Sequence, residues 1–375
     1  MNPVRKARTL LLGSAAILIA IGVVMIYSAS AINAHDRFGD SAYYLKRHLA
    51  YLFVGGALAY AASSVSYEAL RQRARLLLGI CVVLLVLVLV PHIGHSTGGA
   101  RRWFRLLGFS FQPSELLKIV MIFYMADFLD RRKEAVSDLK RTIGPALIVL
   151  GLCCGLIFKQ PDFGTAVSIA LVVFVLFFAA GLKLRYLATL ALCTLPLIIL
   201  AIVSQPYRMK RLLAFLHPWE DPRGVGFQII QSFLAFGSGG IFGTGLGRSQ
   251  QKLFFLPESH TDFIFSIIGE EAGFIGTSAV VVLFILLIFG GTVIVFRSRT
   301  FFAQLFGLGL VSLLALQSII NLGVSTGALP TKGLSLPFIS YGGSALLANL
   351  VALGFLVNLS RHAEAAHEEP EQPAV

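Results

Sequence analysis

The chain has 375 residues, of which 56% are hydrophobic and 13% are charged, and its formal net charge is +12. A soluble domain carries about 25% charged residues, so this composition excludes an ordinary soluble enzyme and predicts an integral membrane protein. The long, nearly uncharged apolar runs indicate membrane-spanning helices and exclude an outer-membrane barrel, whose strands are short segments of alternating hydrophobicity.

Taken in chain order, the apolar runs predict an all-α, polytopic bundle of ten membrane spans. The predicted spans are residues 10–32, 46–64, 74–91, 113–130, 143–158, 164–181, 184–203, 262–290, 302–328 and 341–360. The first span follows Arg5, Lys6 and Arg8 and resembles a signal peptide. Its apolar part is too long for one and lacks a convincing cleavage site, so we interpret it as an uncleaved span.

An even number of spans puts both termini on one side, and basic loops make that side cytoplasmic. The basic residues of these loops are Arg71, Arg73, Arg75, Arg131, Arg132, Lys133, Lys140, Arg141, Lys183, Arg185, Arg297 and Arg299. Residues 1–361 therefore form a single transmembrane domain. The acidic, proline-containing residues 362–375 are predicted to be a disordered cytoplasmic tail.

The predicted outer side is also basic, which the topology rule does not explain. Its cations are Arg101, Arg102, Arg105, Arg208, Lys210, Arg211, Arg223, Arg248, Lys252 and Lys332. An anionic ligand such as a phosphate would account for them, and contact with anionic lipid headgroups is the alternative.

The predicted outer loop 204–261 is too long for a simple connector, and such loops are usually functional. Residues 226–236 predict an amphipathic helix at the membrane surface. The glycine-rich stretch 239–247 resembles a phosphate-binding loop but lacks its Lys-Ser/Thr pair, so we interpret it as a turn that lets backbones pack closely.

Three ionisable residues, Glu258, His260 and Asp262, lie within five positions of one another at the predicted start of span eight. A carboxylate at this position suits a general base, and Asp262 is the candidate, with His260 as the rival. Alternatively, Asp262 is an acid stabilised by the dipole of the following helix. No cofactor is firmly predicted; a divalent cation, Mg²⁺ or Mn²⁺, is an alternative that these residue types allow and their spacing does not require.

Other ionisable residues lie inside or beside the spans. Glu115 and Lys118 are three positions apart, so they share a helix face and are expected to pair within the membrane. The pair either fixes helix packing or shares Lys118 with a ligand's phosphate. Lys332 is predicted to be held at the outer face, with an ordinary solvated lysine as the alternative. Glu270 and Glu271 have no basic partner nearby in sequence and are expected to face the bundle interior.

Five segments, in this order, resemble the SEDS family (shape, elongation, division and sporulation). They are GARRWF at 99–104, QPSELLK at 112–118, KQPDFGTA at 159–166, LPESHTDFIFSIIGEE at 256–271 and LPTKGLSLPFISYGGSALL at 329–347. The resemblance spans residues 10–360 and is closer to the cell-division members than to the elongation members.

The resemblance implies a ten-helix peptidoglycan glycosyltransferase of the bacterial inner membrane, which polymerises lipid II into glycan strands at the division septum. The family's essential acid maps to Asp262, which would deprotonate the acceptor GlcNAc 4-hydroxyl. Its other implicated residues map to Glu115, Lys118, Arg101 or Arg102, and Lys332. Glu258 and His260 are further candidate substrate contacts.

The resemblance also implies partners: a class B penicillin-binding protein of the FtsI type, which is a transpeptidase, and other divisome membrane proteins, with no nucleic acid. Two other functions fit the residues. A lipid II flippase would also use ten spans and buried charges, although transporters usually show repeated halves. A scaffold that only recruits the transpeptidase is the third interpretation.

Overall fold

The computed structural model describes residues 2–97, 100–106, 109–253, 256–257, 259–331 and 333–368. These residues form thirteen α-helices and one small antiparallel sheet. The helices are α1 (Pro3–Phe38), α2 (Tyr43–Ser64), α3 (Tyr67–Arg71), α4 (Ala74–Leu87), α5 (Pro113–Asp130), α6 (Gly144–Lys159), α7 (Phe163–Ala179), α8 (Leu184–Val203), α9 (Pro206–Leu216), α10 (Phe227–Gly239), α11 (Ile264–Arg297), α12 (Phe301–Ser325) and α13 (Gly343–Glu368). The strands are β1 (His95–Thr97), β2 (Ala100–Leu106) and β3 (Phe109–Phe111).

Each predicted span coincides with a helix, namely α1, α2, α4 to α8 and α11 to α13. By length and composition, six helices in the described part of the chain are long and apolar enough to cross a membrane: α1, the 139–159 helix that includes α6, α8, α11, α12 and α13. Helices α4 and α7 are apolar but shorter. The chain is therefore a multi-pass helical membrane protein, and the count of ten crossings stays a prediction.

Ion pairs join several helix ends at one end of the bundle. Arg8 at the start of α1 lies 2.7 Å from Glu364 near the end of α13. Arg71 of α3 pairs with Asp127 at 2.6 Å and also with Asp130, both in the last turn of α5. The first helix therefore begins beside the end of the last one, as an even number of crossings requires.

Helix α13 continues beyond residue 361, where the predicted tail begins, as far as Glu368. Its last part is anchored, because the bond from Arg8 to Glu364 and a 3.0 Å contact between His362 Nδ1 and the Asn358 carbonyl hold it. Residues 369–375 lie outside the described residues.

The segment between α4 and α5 forms a three-stranded antiparallel sheet in the order β1-β2-β3. Arg101 of β2 lies opposite Ser96, and Phe104 lies opposite Phe111. The sheet directly precedes the start of α5, and α5 ends at the ion pairs of Arg71. The sheet therefore lies at the end of the bundle away from those ion pairs. An all-α chain was predicted, so the sheet is a correction; β1 and β3 have three residues each, too few for a strand period to show.

The segment 204–261, predicted as a loop, contains helices α9 and α10. The Ser232 hydroxyl of α10 donates to the Ser325 carbonyl at 2.5 Å and lies 2.6 Å from the Ser266 hydroxyl. Ile229 and Ile230 are buried on the same helix. The apolar stripe that predicted a helix lying on the membrane therefore packs against α11 and α12.

Helix α11 is broken at Gly273, where φ is 66° and ψ is −163°. The N–H group of Phe274 donates to the Gly240 carbonyl at 2.9 Å, and that of Ile275 donates to the Ile241 carbonyl at 3.2 Å. Non-helical backbone at membrane depth is tolerated where protein buries it and satisfies its polar groups. The glycine-rich turn therefore packs against the break, as the close-packing interpretation predicted.

Candidate functional site

Asp262 lies just before α11, which begins at Ile264 with Phe263 at the N-cap position and no acidic residue in its first turn. Asp262 therefore lies one residue before the N-cap, close enough to the helix N-terminus that the helix-dipole interpretation stays open beside the catalytic one. Its backbone carbonyl accepts a 2.9 Å hydrogen bond from Asn321 Nδ2, and its side chain is half-buried. Asp262 is thus held in position by α12 and is not fully buried.

The segment between α12 and α13 passes directly beside this carboxylate. Asn321 Nδ2 also donates to the Leu334 carbonyl at 2.7 Å. A methyl group added to Gly333 would lie 3.1 Å from Asp262 Oδ2. The predicted cation Lys332 precedes Gly333 but lies outside the described residues, as does Glu258.

His260, the rival base, has a buried side chain that is 9% exposed. Its ring lies 4.5 Å from the Tyr44 ring and 5.7 Å from the Tyr341 ring, measured between centroids. Its carbonyl accepts a 2.9 Å bond from the Tyr341 N–H group. An imidazole buried among aromatic rings is less accessible to a sugar hydroxyl than the side chain of Asp262, a residue that is half-buried.

Glu115 and Lys118 form the ion pair that their spacing predicts, with Nζ and Oε2 2.7 Å apart. Both lie in the first turns of α5, which begins at Pro113, a residue suited to that position. Their side chains are 9% and 2% exposed. Because a buried charge without a partner is costly, each of the two residues depends on the other.

Gln112 links three helices beside this pair. Its N–H group donates to Ser344 Oγ at 2.9 Å, and its Nε2 donates to Asp162 Oδ2 at 3.0 Å. Asp162 in turn caps α7 by accepting from the Thr165 N–H group at 3.2 Å. The starts of α5, α7 and α13 therefore meet at the same end. The sequence signal for this role of Asp162 is an aspartate immediately before an apolar run, which is typical of a helix N-cap.

The two predicted arginines of β2 have different surroundings. Arg102 Nε donates to the Gln160 carbonyl at 2.7 Å, and the same guanidinium donates to the Pro161 carbonyl. Arg101 is exposed. Arg102 therefore braces the turn before α7, and Arg101 is the more accessible cation.

Arg211 of α9 is a further cation at this end of the bundle. Its guanidinium lies 3.4 Å from the carbonyl of Thr331, in the segment that passes Asp262. Sequence reasoning grouped it with the other loop cations and had no signal for this contact, because the two residues are 120 positions apart.

Lys252, also predicted as an outer cation for an anionic ligand, pairs instead with Glu271 at 2.8 Å, and its side chain is 6% exposed. The expectation that Glu271 faces the interior is confirmed. Its basic partner was missed because it lies 19 positions earlier, before the helix begins.

Among the described residues, no group of three or more His, Cys, Asp or Glu side chains is arranged to hold a metal ion. The predicted trio includes Glu258, which lies outside those residues, so the divalent-cation alternative stays a prediction. The site that the structure does describe is a carboxylate beside a shaped loop, a buried ion pair and several arginines at one end of the bundle.

Comparisons with known proteins agree over almost the whole chain. The family model described as "cell cycle protein", of the FtsW, RodA and SpoVE proteins, matches residues 8–365. The chain is 44% identical over 360 residues to a probable peptidoglycan glycosyltransferase FtsW of Geobacter metallireducens, covering 96% of each chain. It is 42% identical over 346 residues to stage V sporulation protein E of Bacillus subtilis, covering 92% of this chain and 94% of that one.

A solved structure has the same fold. It is a chain of a peptidoglycan synthase complex described as coordinating polymerization and crosslinking, with a TM-score of 0.77 and 31% identity. The match covers 94% of this chain and 97% of that chain.

Proposed function

The chain belongs to the FtsW, RodA and SpoVE family of cell cycle proteins, and on that premise we propose that it is a peptidoglycan glycosyltransferase that polymerises lipid II. The names of its relatives support the activity, and the FtsW relatives support a role in septal wall synthesis. The proposed location is the bacterial inner membrane at the division septum, with both termini in the cytoplasm.

In the proposed reaction, two lipid-linked sugars meet at the outer end of the bundle. Asp262 takes the proton of the acceptor's GlcNAc 4-hydroxyl while that oxygen bonds to the donor's anomeric carbon. The bond from this carbon to the pyrophosphate breaks, undecaprenyl pyrophosphate leaves, and the configuration inverts from α to β. The observation that carries this assignment is the half-buried Asp262 carboxylate held beside Gly333 by Asn321, while His260 is enclosed by aromatic rings.

The leaving pyrophosphate develops negative charge, and fixed cations stabilise such charge most strongly where water is scarce. The candidates for this role are Arg101, Arg102, Lys118 or Lys332, and Arg211 is added by its contact with the Thr331 carbonyl. Glu115 would hold Lys118 in place, and Glu258 would contact the acceptor, whereas the buried His260 would support this surface from behind Tyr44 and Tyr341.

A divalent cation is the alternative source of positive charge for this step. It predicts that EDTA abolishes glycan synthesis and that Mg²⁺ or Mn²⁺ restores it. Full activity in EDTA would leave charge stabilisation to the basic side chains.

The proposed partner is a class B penicillin-binding protein, a transpeptidase of the FtsI type. The support is the structural match to a chain of a synthase complex that couples polymerization with crosslinking. Other divisome membrane proteins are expected partners of the same assembly.

Replacing the proposed base tests the function directly. Asp262→Asn keeps the side-chain volume but removes the proton acceptor, so glycan synthesis from lipid II should fall by at least about 100-fold. Glycan chains are measured on gels with purified protein and its transpeptidase. Asp40→Asn is the matched control, because Asp40 is a partly exposed acid bonded to Lys46 in the loop between α1 and α2.

The result that contradicts the assignment is full activity of Asp262→Asn. The base would then be His260 or Glu258, whichever abolishes glycan synthesis when it is replaced by alanine.

A lipid II flippase is the second candidate function, and the buried Glu115–Lys118 pair in a membrane helix is the observation that favours it. Proteoliposomes separate the two, because a flippase moves labelled lipid II across the bilayer without making polymer. A scaffold would do neither, and Asp262→Asn would be harmless to it.

A further inference from the structure

The segment that leads to Asp262 is fastened to the broken part of α11. The N–H groups of Thr244 and Gly245 donate to the carbonyls of Glu270 and Glu271, at 2.9 Å and 3.0 Å. These bonds satisfy carbonyls that the break at Gly273 leaves without helical donors. The segment therefore completes the hydrogen bonding of the helix.

Two glycines of this contact leave no space for a side chain. A methyl group added to Gly239 would lie 1.9 Å from the Gly269 carbonyl oxygen, and one added to Gly243 would lie 2.2 Å from that of Glu271. Such distances are far below van der Waals contact, so the two backbones are pressed together. Gly243 also has a φ of 80°, a conformation that favours glycine.

The side chain of Glu270 holds the next part of the segment. Its carboxylate accepts from the hydroxyl of Ser249, from the N–H group of Gln250 at 2.8 Å and from that of Gln251 at 3.3 Å. Glu270 is 1% exposed. A buried carboxylate that accepts several hydrogen bonds fixes the groups that donate them.

The side chain of Glu271 holds the segment one residue further along. It accepts from Lys252 Nζ at 2.8 Å and from Ser28 Oγ of α1 at 2.7 Å. Lys252 Nζ also lies 3.2 Å from Ser28 Oγ. The Glu271 side chain is 0% exposed, so removing either charge would leave the other buried without a counterion.

The chain between these anchors and the reaction site is short. Asp262 follows Lys252 by ten positions, and Asn321 holds the Asp262 carbonyl at the far end. Glu270 and Glu271 thus fix one end of the stretch that carries Asp262, and Asn321 fixes the other.

We propose that Lys252 and Glu271, together with Glu270, are positioning residues that set the place of Asp262 by anchoring the segment before it to the break in α11. This inference rests on the proposed function, because it assigns the anchors a role in that reaction. It predicts an effect on turnover that exceeds any effect on folding, since a misplacement of about 1 Å can cost about 100-fold in rate.

The first experiment is a charge exchange measured as glycan synthesis from lipid II by the full-length protein. Lys252→Glu and Glu271→Lys alone should each lower kcat by about 100-fold, with KM for lipid II changed less than about twofold. The double exchange restores an ion pair, and Ser28 can donate to the new acid and accept from the new ammonium group. We expect kcat of the double variant to be at least about tenfold higher than kcat of either single variant.

The second experiment measures the segment without using activity. Leu256 is 3% exposed, and it follows Lys252 on the way to Asp262. In a variant whose four native cysteines are replaced by alanine, Leu256→Cys should react slowly with a maleimide. Adding Lys252→Met should raise the reaction rate at least about tenfold, because the segment loses its anchor.

Lys46→Met is the matched control for both experiments. It removes the Lys46–Asp40 pair, which has the same 2.8 Å distance but exposed side chains, at 69% and 40%. Exposed pairs contribute little, so kcat and the maleimide rate at position 256 should both stay unchanged.

Wild-type kcat in Lys252→Glu, or an unchanged maleimide rate in Lys252→Met, would overturn the proposal. So would a double exchange that is folded and as inactive as the single variants. If wild-type protein makes no glycan while the maleimide rate still rises in Lys252→Met, the anchoring stands and the proposed glycosyltransferase activity fails.

Discussion

Two buried asparagines make equivalent contacts at opposite ends of the bundle. Asn321 Nδ2 joins the carbonyls of Asp262 and Leu334, and Asn358 Nδ2 joins two carbonyls at the end of α2. Both side chains are 1% exposed. Their similar contacts and burial predict similar losses of stability on replacement, but only Asn321 contacts the residue proposed as the base.

Replacing each asparagine with leucine separates a structural contribution from a functional one. Each change leaves buried carbonyls without a donor, which costs about 1–3 kcal/mol per group, so both variants should melt at lower temperature. Only Asn321→Leu should also lower kcat for glycan synthesis, by at least about tenfold. Equal kcat values in the two folded variants would contradict this role for Asn321.

Variants of the Glu115–Lys118 pair also separate a structural contribution from a functional one. Lys118→Met strands a buried carboxylate and should cost about 3–5 kcal/mol of unfolding free energy. Adding Glu115→Gln removes that charge, so the double variant should regain thermal stability. If Lys118 contacts the pyrophosphate, the double variant stays inactive on lipid II. A stable and fully active double variant would make the pair purely structural.

Contacts between individual side chains were predictable only where the two partners are close in sequence. The Glu115–Lys118 pair follows from three-residue spacing on one helix. The contact of Asn321 with Asp262 spans 59 positions, and that of Lys252 with Glu271 crosses from a loop to a helix. Neither leaves a pattern in local sequence.

At the scale of elements, the broken α11 is the feature that positions the candidate site. The 240–245 turn supplies the hydrogen bonds that α11 lacks around Gly273, and α10 packs against the same helix. The segment predicted as a loop is thus part of the bundle's packed structure. The apolar stripe of residues 226–236 correctly predicted helix α10. It did not indicate whether that helix packs on the membrane surface or on α11 and α12.

The close packing of this turn makes a steric prediction. Gly243→Ala would place a methyl group 2.2 Å from the Glu271 carbonyl oxygen, so we expect a lower melting temperature and less glycan product. Gly237→Ala on α10 is the control, because beyond its own helix turn no heavy atom of the described residues lies within 4 Å of the added methyl group. Replacing that helical glycine should be neutral or stabilising by up to about 1 kcal/mol. Equal melting temperatures for the two variants would refute the close contact.

At the scale of the whole molecule, the contacts sort the helix ends into two groups. The ion pairs of Arg8 and Arg71 lie at one end, together with the basic loops predicted to be cytoplasmic. The sheet, Asp262 and the starts of α5, α7 and α13 lie at the other end. With the basic loops predicted to be cytoplasmic, the proposed chemistry is expected on the outer side.

Single cysteines test this topology. In a variant without native cysteines, Asp36→Cys near the end of α1 should react with a membrane-impermeant maleimide added to spheroplasts. Glu134→Cys, in the turn after α5, should react only after lysis, because its end of the bundle is predicted to face the cytoplasm. Both positions are exposed, so accessibility to the reagent is matched. Labelling of both from the same side would contradict the topology.

The sequence by itself determined the membrane class, the long apolar helices and the pairing of Glu115 with Lys118, and it predicts that the basic loops are cytoplasmic. Those features depend on composition and on spacing within one helix, which are local properties. Only the tertiary structure decided that Asn321 holds Asp262, that Lys252 pairs with Glu271 instead of facing a ligand, and that Arg102 braces the turn before α7. The physical reason is that lipid is as apolar as the bundle core, so hydrophobicity marks a span without marking which of its faces meets another helix.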